Sequence, residues 1–324
     1  MNTLVTGGAG YIGSQVVRAL CDAGQSPIVI DNLSTGTLDA LPEGTTLVRA
    51  DVRDAASLQA AIKKHHIDSV LHFAGSVSVE ESVQFPARYF SNNTGATAAL
   101  VEACAESGVK NLIFSSTAAV YGTPQMSRVT ESHPTTPASP YGQSKLLAER
   151  IISEAAPAAR LRYGILRYFN VGGADPLGRT GQTNTSSRHL IRNAIRAAKG
   201  EIPKFQVFGD DYETRDGTGM RDFIHVADLA DVHLRMLGHL RAGGESAVLN
   251  CGYGEGFTVL EVIAVVQRVT GVKFTVEHCP RRPGDVAAVV ADSARATALL
   301  DWSPQFNDLS LIVEHAWRWD NRAG

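Results

Sequence analysis

The sequence predicts an α/β fold in which a doubly wound parallel sheet is joined to a smaller mixed α/β C-terminal domain that binds the substrate. Three observations support this prediction. Short runs rich in β-branched residues alternate with amphipathic helical stretches through the first half of the chain. These runs are apolar on both faces, as in sheets that helices cover on both sides. From about residue 171 the alternation gives way to a Gly/Thr/Ser-rich stretch.

Length and composition are those of a globular protein with a substantial core. The 324 residues suffice for one large or two ordinary domains, with 44% hydrophobic and 19% charged residues. The net charge of −3 gives no sign of a nucleic-acid partner or of an acidic membrane surface. Apolar runs stay well short of the ~20 residues needed to span a bilayer. We therefore expect neither nucleic acid nor membrane as a partner.

The predicted elements follow one another along the chain. Helical periodicity is found around 11–23, 54–66, 86–108 and 141–156, and again in "DFIHVADLADVHLRML". The predicted strands are NTLVT, SPIVID, TTLVRAD, DSVLHFAG, NLIFSS and LRYGILRYFN, followed near residue 250 by AVLNCG. "VGGADPLGRTGQTNTSS" is typical of a binding loop. We expect a first domain over 1–170, to which about 222–250 returns, and a second over 171–324.

The start of the chain and its cysteines indicate the cytoplasm. "MNTLVTGG" has no basic segment followed by an apolar one, so we expect no signal peptide. The cysteines lie far apart with no C-x-x-C pair, which indicates reduced thiols that fill the core. Without a Cys/His cluster we expect no metal site. The cysteines are Cys21, Cys104, Cys251 and Cys279.

A glycine-rich segment between the first strand and the first helix suits a phosphate-binding turn. Gly7, Gly10 and Gly13 in "TGGAGYIGS" are spaced G-x-x-G-x-x-G. Such glycines permit a tight turn, close approach to a pyrophosphate and close helix–strand packing at a helix N-terminus. The spacing alone is weak evidence, because a second glycine run at 251–256 has it without the long βαβ frame and is predicted as a turn. The frame here predicts a Rossmann-type dinucleotide site.

Asp31 indicates which dinucleotide is bound. It ends the second predicted strand, eighteen residues after Gly13. A carboxylate there can bind the adenosine ribose diol and repels a 2′-phosphate, which favours NAD over NADP. The alternative is that Asp31 only caps a turn.

The stretch "SPYGQSKLLAER" carries the catalytic prediction. Pro140 suits a helix start, and Tyr141 and Lys145, four residues apart, share one face of that helix. Thr117 ends the fifth strand, where ligands of open α/β sheets gather. The alternative is an exposed tyrosine beside a solvated lysine. The combination with an NAD loop favours an active site.

These motifs resemble the extended branch of the short-chain dehydrogenase/reductase superfamily. Along the whole chain they are similar to the UDP-galactose 4-epimerase family. The matching segments are TGGAGYIGS, DNLSTG, HFAG, ESV…P, NN, FSSTAAVYG, SPYGQSK, LRYFNVGGADP, FGDDY, DGTGMRDFIHVADLADVH, LNCGYGEGFTVLEV and PRRPGD.

The resemblance implies a redox epimerisation at carbon 4 of a UDP-sugar. Tyr141 would exchange a proton with the substrate hydroxyl while a hydride moves between that carbon and the nicotinamide. Lys145 would bind the nicotinamide ribose. Together with the positive nicotinamide ring it would lower the pKa of Tyr141 from ~10 towards 7, which takes about 4 kcal/mol. Thr117 would relay or position the proton. The reaction would interconvert UDP-galactose and UDP-glucose through a 4-keto intermediate, with NAD as the cofactor.

The resemblance also implies binding residues. Those for NAD, besides the catalytic pair Tyr141 and Lys145, are Gly7, Gly10, Tyr11, Ile12, Gly13, Asp31, Asn32, Leu33, Ser34, Thr35, Gly36, Asp51, Val52, Phe73, Ala74, Gly75, Asn92 and Phe169. Those for the UDP-sugar, besides Thr117 and Tyr141, are Asn170, His189, Leu190, Gln206, Val207, Phe208, Arg221, Arg282, Asp285 and Val289. Two positions depart from the family pattern. Val77 stands where many members have a lysine, and His189 where asparagine is common.

Three further points follow from the resemblance. A homodimer is expected, built from the helices near 86–108 and 141–156. Val289 replaces the tyrosine that walls the sugar pocket of narrow-range members, so UDP-N-acetyl sugars are expected as additional substrates. The competing readings are a dehydratase or another nucleotide-sugar epimerase of the superfamily, and a non-catalytic NAD-binding regulator. Dehydratases carry an acidic pair where Ala118 and Ala119 stand, and regulators typically lose the tyrosine or the lysine.

Overall fold

A parallel sheet lies at the centre of the first part of the chain. The computed structural model describes residues 2–124, 126, 128–184, 189–282 and 285–322. The strands in the described residues are β1 Asn2–Thr6, β2 Ile28–Asp31, β3 Thr46–Arg49, β4 Ile67–His72, β5 Asn111–Thr117, β6 Arg128–Val129, β7 Arg162–Tyr168, β8 Asn170–Gly172, β9 Phe205–Phe208, β10 Met220–His225, β11 Ala247–Cys251, β12 Gly256–Thr258, β13 Val276–Cys279 and β14 Ala288–Ala291.

Helices connect most of these strands. They are α1 Tyr11–Asp22, α2 Ala55–Lys64, α3 Val79–Gln84, α4 Pro86–Tyr89, α5 Ala96–Ser107, α6 Pro140–Ala159, α7 Leu190–Ala198, α8 Val226–Arg241, α9 Val259–Thr270, α10 Ala294–Leu300 and α11 Leu309–Asp320. Short 3₁₀ turns cover Leu38–Ala40 and Ala118–Tyr121, and a π-helical segment covers Phe90–Gly95. No helix among the described residues is long and apolar enough to cross a membrane.

The main sheet has seven strands in the order β11-β7-β5-β4-β1-β2-β3. Every neighbouring pair runs parallel. The chain winds outward from β1 in both directions, so the carboxyl ends of β1 and β4 flank the crevice where such sheets bind ligands. The predicted α/β fold with a Rossmann-type, doubly wound parallel sheet is confirmed.

Helices bury both faces of this sheet. On one face, α2, α5 and α6 enclose a core with Leu100, Leu112 and Ile152. On the other, α1, α8 and α10 enclose a core with Val17 and Leu249. Burial on both faces explains why the strands carry apolar residues continuously instead of alternately.

A second group of elements is built largely from the later part of the chain. Strand β10 pairs with β8 and β14 in parallel and with β12 antiparallel, and β14 pairs with β6. Strands β9 and β13 form a separate parallel pair. Helices α7, α9 and α11 enclose a third apolar core between these strands. Strand β11 and helix α8, in contrast, belong to the seven-stranded sheet and its cover.

Three predicted elements differ in the structure. Residues 222–225 were predicted as helix but end β10, because pairing with β8 fixes them as a strand before α8 begins at Val226. The predicted strand through 161–170 divides at Phe169, and its last residue starts β8. The helix predicted over 86–108 contains a π-helical segment, which turns the buried Asn93 inward to Ser76. Extra turns of this kind are common at functional sites.

Candidate active site

The phosphate-binding turn is packed too tightly for any residue but glycine. Gly7 has a φ of +70°, and a Cβ there would lie 2.5 Å from the Ala74 nitrogen. A Cβ on Gly13 would lie 2.2 Å from the Gly7 oxygen. Gly10, the N-cap of α1, supplies no side-chain cap to the first turn. Helix N–H groups are thus left for a ligand, and a helix N-terminus favours an anion.

Asp31 supports this turn from the end of β2. Its two carboxylate oxygens accept hydrogen bonds from the backbone nitrogens of Ala9 (2.9 Å) and Leu33 (2.8 Å). Asp31 is buried, and each oxygen keeps a second lone pair for a ribose hydroxyl. It therefore acts as a turn residue and remains able to bind a ribose, so both sequence interpretations apply to it.

The segment after Asp31 closes over the turn. Leu33 adopts a left-handed conformation with a φ of +58°. A Cβ on Gly36 would lie 2.6 Å from the Ala9 carbonyl carbon, and the Thr37 nitrogen donates to the Ala9 oxygen at 3.2 Å. The predicted segment Leu33, Ser34, Thr35 and Gly36 therefore borders the same crevice.

Asp51 and Val52, predicted to flank the adenine, follow β3. Asp51 forms a bidentate ion pair with Arg53 and accepts a hydrogen bond from Asn32 at 3.1 Å. The hydrogen bond from Arg53 is the main reason that the pKa of Asp51 is well below its usual value. Val52 is buried. The geometry links Asn32 to Asp51 in one rim of the crevice.

The carboxyl end of β4 forms the floor of the crevice. Phe73 donates its backbone N–H to the Thr6 oxygen at 2.9 Å, and a Cβ on Gly75 would lie 2.9 Å from the Asn93 side-chain oxygen. Asn92, the predicted residue, reaches the Ser76 hydroxyl at 2.8 Å. Ala74 packs against the phosphate turn. A Cβ at Gly7 would meet backbone and one at Gly75 would meet the Asn93 side chain, so the channel needs small residues at both positions.

Tyr141, Thr117 and Lys145 are brought together where β5 meets α6. Thr117 is the last residue of β5, and its hydroxyl accepts from the Ala119 nitrogen at 3.1 Å while bonding to the Tyr141 hydroxyl. The Lys145 ammonium donates to the Ser115 oxygen at 2.8 Å. A Cβ on Gly75 would lie 3.7 Å from that ammonium nitrogen. The three predicted catalytic residues thus adjoin the crevice floor.

Burial moves the pKa values of Tyr141 and Lys145 in opposite directions in the chain alone. Burial raises the pKa of Tyr141 above its usual value, and the hydrogen bond with Thr117 opposes this. Burial lowers the pKa of Lys145 to about 8, and the charge of Glu149 opposes this. In the chain alone Tyr141 is therefore not acidic, because desolvation outweighs its neighbours. The predicted acidity of Tyr141 depends on the nicotinamide ring as well as on Lys145.

The residues fit a bound NAD. The uncapped start of α1 suits a pyrophosphate, Asp31 suits a ribose diol, and the Lys145 ammonium points to the inner end of the same crevice. A phosphate at the 2′ position of that ribose would be repelled by Asp31. These donors and acceptors, spread along one crevice, match a dinucleotide without a 2′-phosphate.

The predicted uracil-side residues lie on the β9–β13 pair. Phe208 is the last residue of β9, and the Arg282 guanidinium lies 3.6 Å from the centre of its ring. Val207 is buried beneath, and Gln206 donates to the Glu277 carboxylate at 3.3 Å. The Phe208–Arg282 stack offers an aromatic face and a charge side by side, which suits a base attached to a phosphate.

Arg221 lies between this pair and the catalytic end of the sheet. Its side chain is half-buried, and Nη1 donates to the Met220 oxygen at 2.9 Å. Burial lowers the pKa of Arg221, while the charges of Asp285 and Tyr212 oppose this. Because the carboxylate beside the half-buried Arg221 guanidinium, that of Asp285, is exposed, the guanidinium retains N–H donors for a further anion. Arg221 and Asp285 are therefore brought together as predicted.

Val289 connects the two sets of residues. It is the register partner of Arg221 in the parallel β10–β14 ladder, so the two side chains share one face of the sheet. It also packs in an apolar cluster with Phe169, Val120 and Leu146, against which Ala118 packs. Val289 is 7% exposed. Val289 thus belongs to the same apolar cluster as Ala118, which follows Thr117 in the chain.

The remaining predicted residues border the first crevice from the other side. Asn170 opens β8 beside β10, and the Tyr11 hydroxyl donates to the Gly173 oxygen at 2.7 Å. His189, the N-cap of α7 before Leu190, contacts Gln182 through Nδ1 at 3.2 Å. Tyr11 and His189 line a common cavity with Arg192 and Asp320. The cavity lies at the start of α1, which also carries Ile12.

Some residues of the site were not predicted. Asn93 bonds the Ser76 backbone through both side-chain atoms and the Ser144 hydroxyl at 2.9 Å. Tyr212, in "FGDDY", is buried with a hydroxyl that has no partner in the described residues, and the Arg281 guanidinium lies 4.1 Å from its ring centre. Glu149, four residues after Lys145, is buried in an ion pair with Arg167. The signal for Glu149 was its place on the Tyr141–Lys145 face.

All four cysteines are free, with Cys104 and Cys251 buried and the other two half-buried. The prediction that they fill the core therefore holds for two of the four. Within the described ranges there is no group of three His, Cys, Asp or Glu side chains that could hold a metal ion.

Comparisons with known proteins agree with this geometry. The NAD dependent epimerase/dehydratase family matches residues 3–252. A UDP-glucose 4-epimerase of Azospirillum brasilense is 47% identical over 317 residues, 98% of this chain and 91% of that protein. Structures of a UDP-glucose 4-epimerase from Brucella ovis with NAD (42% identical, TM-score 0.95) and a UDP-Glc/GlcNAc 4-epimerase from Campylobacter jejuni (42%, TM-score 0.87) are similar.

These similarities extend over the whole molecule. The Brucella structure covers 98% of this chain and is itself covered over 97%, and the Campylobacter structure is matched over 98% in both directions. The resemblance found in the sequence motifs is confirmed, and so are NAD as the cofactor and an NAD-dependent nucleotide-sugar 4-epimerase as the class of enzyme. The chain belongs to the NAD dependent epimerase/dehydratase family, among its UDP-glucose 4-epimerases.

Proposed function

We propose that the protein interconverts UDP-galactose and UDP-glucose by inverting carbon 4 of the sugar through a 4-keto intermediate. The observation that carries the proposal is the Tyr141–Thr117–Lys145 group at the inner end of an NAD crevice. The similarity to UDP-glucose 4-epimerases over nearly the full chain supports it. A dehydratase is disfavoured, since Ala118 and Ala119 offer no carboxylate for elimination.

The chain's own residues would manage the proton of the 4-hydroxyl. NAD, when bound, supplies the redox chemistry at carbon 4. Tyr141 takes the hydroxyl proton in one half-reaction and returns it in the other. Thr117, bonded to Tyr141, holds the phenol oxygen towards the sugar. Lys145, charged and buried beneath the crevice floor, stabilises the phenolate and binds the nicotinamide ribose.

We propose that the second group of elements, mainly within 171–324, binds the UDP part. The Phe208–Arg282 stack would hold the uracil end, with Gln206 and Val207 beside it. Arg221 and Asp285 would hold the phosphates and ribose, with Asn170, His189 and Leu190 closing the other side. Two buried or stacked arginines supply the charge that a diphosphate requires.

The function is tested by incubating the protein with UDP-galactose and resolving the nucleotide sugars by chromatography. We expect UDP-glucose to accumulate until both sugars reach a constant ratio, and the same ratio starting from UDP-glucose. Approach to one ratio from both directions identifies a reversible isomerase. A folded, NAD-containing protein that leaves both sugars unchanged would contradict the proposal.

We expect NAD to be purified with the protein. The crevice is closed by the phosphate turn, the segment at 33–37 and the Tyr11–Gly173 contact, and the cofactor ends each cycle in its starting state. Denaturing the purified protein and assaying the supernatant should release nicotinamide nucleotide without a 2′-phosphate. Release of NADP, or absence of nucleotide together with no affinity for NAD, would contradict the prediction.

We further propose that UDP-N-acetylglucosamine and UDP-N-acetylgalactosamine are also substrates, with the non-acetylated sugars preferred. The support is Val289 at the proposed pocket wall. Its isopropyl group has several heavy atoms fewer than the phenol ring of a tyrosine and so leaves more room for the sugar. The similar Campylobacter enzyme is a UDP-Glc/GlcNAc 4-epimerase. A pocket that is slightly roomy costs the smaller sugar only ~1–3 kcal/mol, whereas steric overlap rejects the larger one.

Val289→Tyr is expected to abolish turnover of the N-acetylated sugars while UDP-galactose turnover changes less than about tenfold. The ring would occupy the space beside Ala118 and Phe169. Val289→Ala is the matched control and should retain both activities. Parallel kcat/KM measurements on both sugars decide the question. If the wild type never converts the N-acetylated sugar, or Val289→Tyr converts it at the wild-type rate, Val289 is not the gate.

We propose a homodimer formed through α5 and α6. Among five apolar residues of these helices, Leu100, Val101 and Leu146 are buried within the protomer, whereas Leu147 and Ile151 are half-buried. Val79, Val83 and Phe85, next to these helices, are 48%, 64% and 46% exposed, however, and extend the apolar surface. Exposed apolar residues grouped on one side mark association sites in soluble proteins.

Light scattering at micromolar concentration is expected to give twice the mass of the 34.6 kDa chain. Leu147→Glu together with Ile151→Glu should shift the mass to that of one chain, because the charges would be buried without partners. Leu177→Glu together with Leu299→Glu is the control, because both leucines are exposed away from this surface. A monomeric wild type would refute the dimer.

The four free thiols are compatible with a reducing compartment, and we propose the cytoplasm.

A further inference from the structure

Three consecutive residues at the end of β5 contact three residues spaced four apart on α6. In the stretch Ser115–Thr117, the first carbonyl accepts from Lys145, the second hydroxyl donates to Glu149, and the third hydroxyl bonds Tyr141. Residues four apart share a helix face. Glu149 therefore continues the row formed by the two catalytic side chains, one turn further along the helix.

Glu149 lies in a fully hydrogen-bonded ion pair. Its side chain is 5% exposed, and its oxygens accept from Arg167 Nε at 3.0 Å and Nη2 at 2.7 Å. Arg167 on β7 is the register partner of Ser116 and also donates to the Tyr121 hydroxyl at 3.0 Å. The carboxylate is thus fixed in place by the Ser116 hydroxyl and the Arg167 guanidinium.

Lys145 is a buried charge with few partners. It is 3% exposed, its ammonium bonds the Ser115 oxygen, and it lies 4.7 Å from the centre of the Phe114 ring. His72, on β4, faces Lys145, and its two ring nitrogens contact the hydroxyls of Thr6 and Thr97. Burial lowers the pKa of His72 to about 3, so this ring is neutral and offers no negative charge to the ammonium.

The other titratable groups around Lys145 are also uncharged or positive. Burial raises the pKa of both Tyr141, on the same helix, and Tyr168, on β7. Arg167, on β7, is positive and paired to Glu149. Glu149 is therefore the anion that faces Lys145 within the described part of the chain.

We infer that Glu149 is a positioning residue whose carboxylate keeps Lys145 protonated beneath the active site. This inference rests on the proposed function of Lys145 as the cation that stabilises the Tyr141 phenolate. A buried ion pair such as Glu149–Arg167 is weak evidence for a role in stability, because apolar replacements of similar volume often do as well. Its location one turn from Lys145, in contrast, places a negative charge where the buried ammonium needs one.

The protonation of Lys145 can be measured directly. The chain has seven lysines, and protein labelled with ¹³C at lysine Cε gives one resonance for each. Lys145 is identified by its loss in Lys145→Arg. The other six are exposed and serve as internal references: Lys63, Lys64, Lys110, Lys199, Lys204 and Lys273. A titration from pH 6 to 11 then gives the midpoint for Lys145.

Glu149→Gln should lower the Lys145 midpoint by about one pH unit, the size of effect that one neighbouring charge produces. The alkaline limb of kcat/KM for UDP-galactose should move down by the same amount. Ser116→Ala is the matched control, since it removes a hydrogen bond to the carboxylate and keeps the charge. It should lower the thermal midpoint while the Lys145 titration stays in place.

Glu149→Gln leaves Arg167 buried without its partner and can fail to fold. Glu149→Gln with Arg167→Met removes both charges and should shift the Lys145 midpoint in the same direction, since the carboxylate is the charge on the Lys145 helix face. A Lys145 midpoint equal to the wild-type value in the folded variants would overturn the inference. If the Lys145 midpoint shifts in the variants but the wild-type protein converts no UDP-galactose, the inference about Lys145 protonation is supported and the proposed function is overturned.

Discussion

Tyr141→Phe should lower kcat for UDP-galactose by about 10²–10⁴, the range that a positioned acid–base group contributes. The phenylalanine ring fills the same space against the Tyr89 ring, whose centre lies 6.3 Å from that of Tyr141. Only the hydroxyl bonded to Thr117 is lost. The residues proposed to bind UDP, on β9, on β10 and after β13, are not touched, so the Kd for UDP should stay within about threefold, under 1 kcal/mol.

Steady-state kinetics and calorimetric titration with UDP measure the two quantities separately. Tyr163→Phe is the matched control because it removes a tyrosine hydroxyl at the amino end of β7, away from the crevice. It should retain wild-type turnover. A Tyr141→Phe variant with near-normal kcat would show that another group carries the proton. A large loss of UDP affinity would show that the substitution disturbs binding instead of chemistry.

Gly13→Ala should abolish NAD retention. The added Cβ would lie 2.2 Å from the Gly7 oxygen and 2.9 Å from the Gly8 Cα, so the phosphate turn has to move. Both contacts are with backbone, which cannot rotate away. We expect less than a tenth of the wild-type nucleotide content after purification, and a loss of stability of the 1–3 kcal/mol typical of overpacking.

Gly238→Ala is the control for this change. Gly238 lies on the exposed side of α8, and a Cβ there has nothing within 4 Å. Alanine should stabilise the helix by about 0.4–1 kcal/mol and leave the NAD content unchanged. Nucleotide released on denaturation and thermal midpoints give both answers. Wild-type NAD content in Gly13→Ala would mean that the pyrophosphate lies away from this turn.

The sequence predicted the parts of the site that short-range patterns encode. The glycine spacing before α1, the position of Thr117 at a strand end and the four-residue spacing of Tyr141 and Lys145 all follow from local geometry. Residues 222–225 were misassigned because a short apolar strand next to an amphipathic helix has no periodicity of its own. Pairing with β8, more than fifty residues earlier in the chain, decides their conformation.

The rest of the site depends on contacts that no local pattern shows. Asn93 bonds Ser144, 51 residues away, and Glu149 bonds Ser116 across 33 residues. The expected acidity of Tyr141 was based on the neighbouring lysine and the nicotinamide ring, and the structure adds the desolvation that opposes it. Spacing along a helix shows which groups are adjacent, whereas the surrounding strands decide how deeply those groups are buried.

The central claim is that carbon 4 loses and regains its hydrogen without exchange with water, while Tyr141 handles only the hydroxyl proton. The direct test is to convert UDP-galactose in D₂O and read carbon 4 of the UDP-glucose formed by proton NMR. The account predicts a full proton signal at carbon 4, because that hydrogen stays within the closed crevice throughout. Deuterium at carbon 4 of the product would contradict it, since the carbon-bound hydrogen would then have passed through solvent.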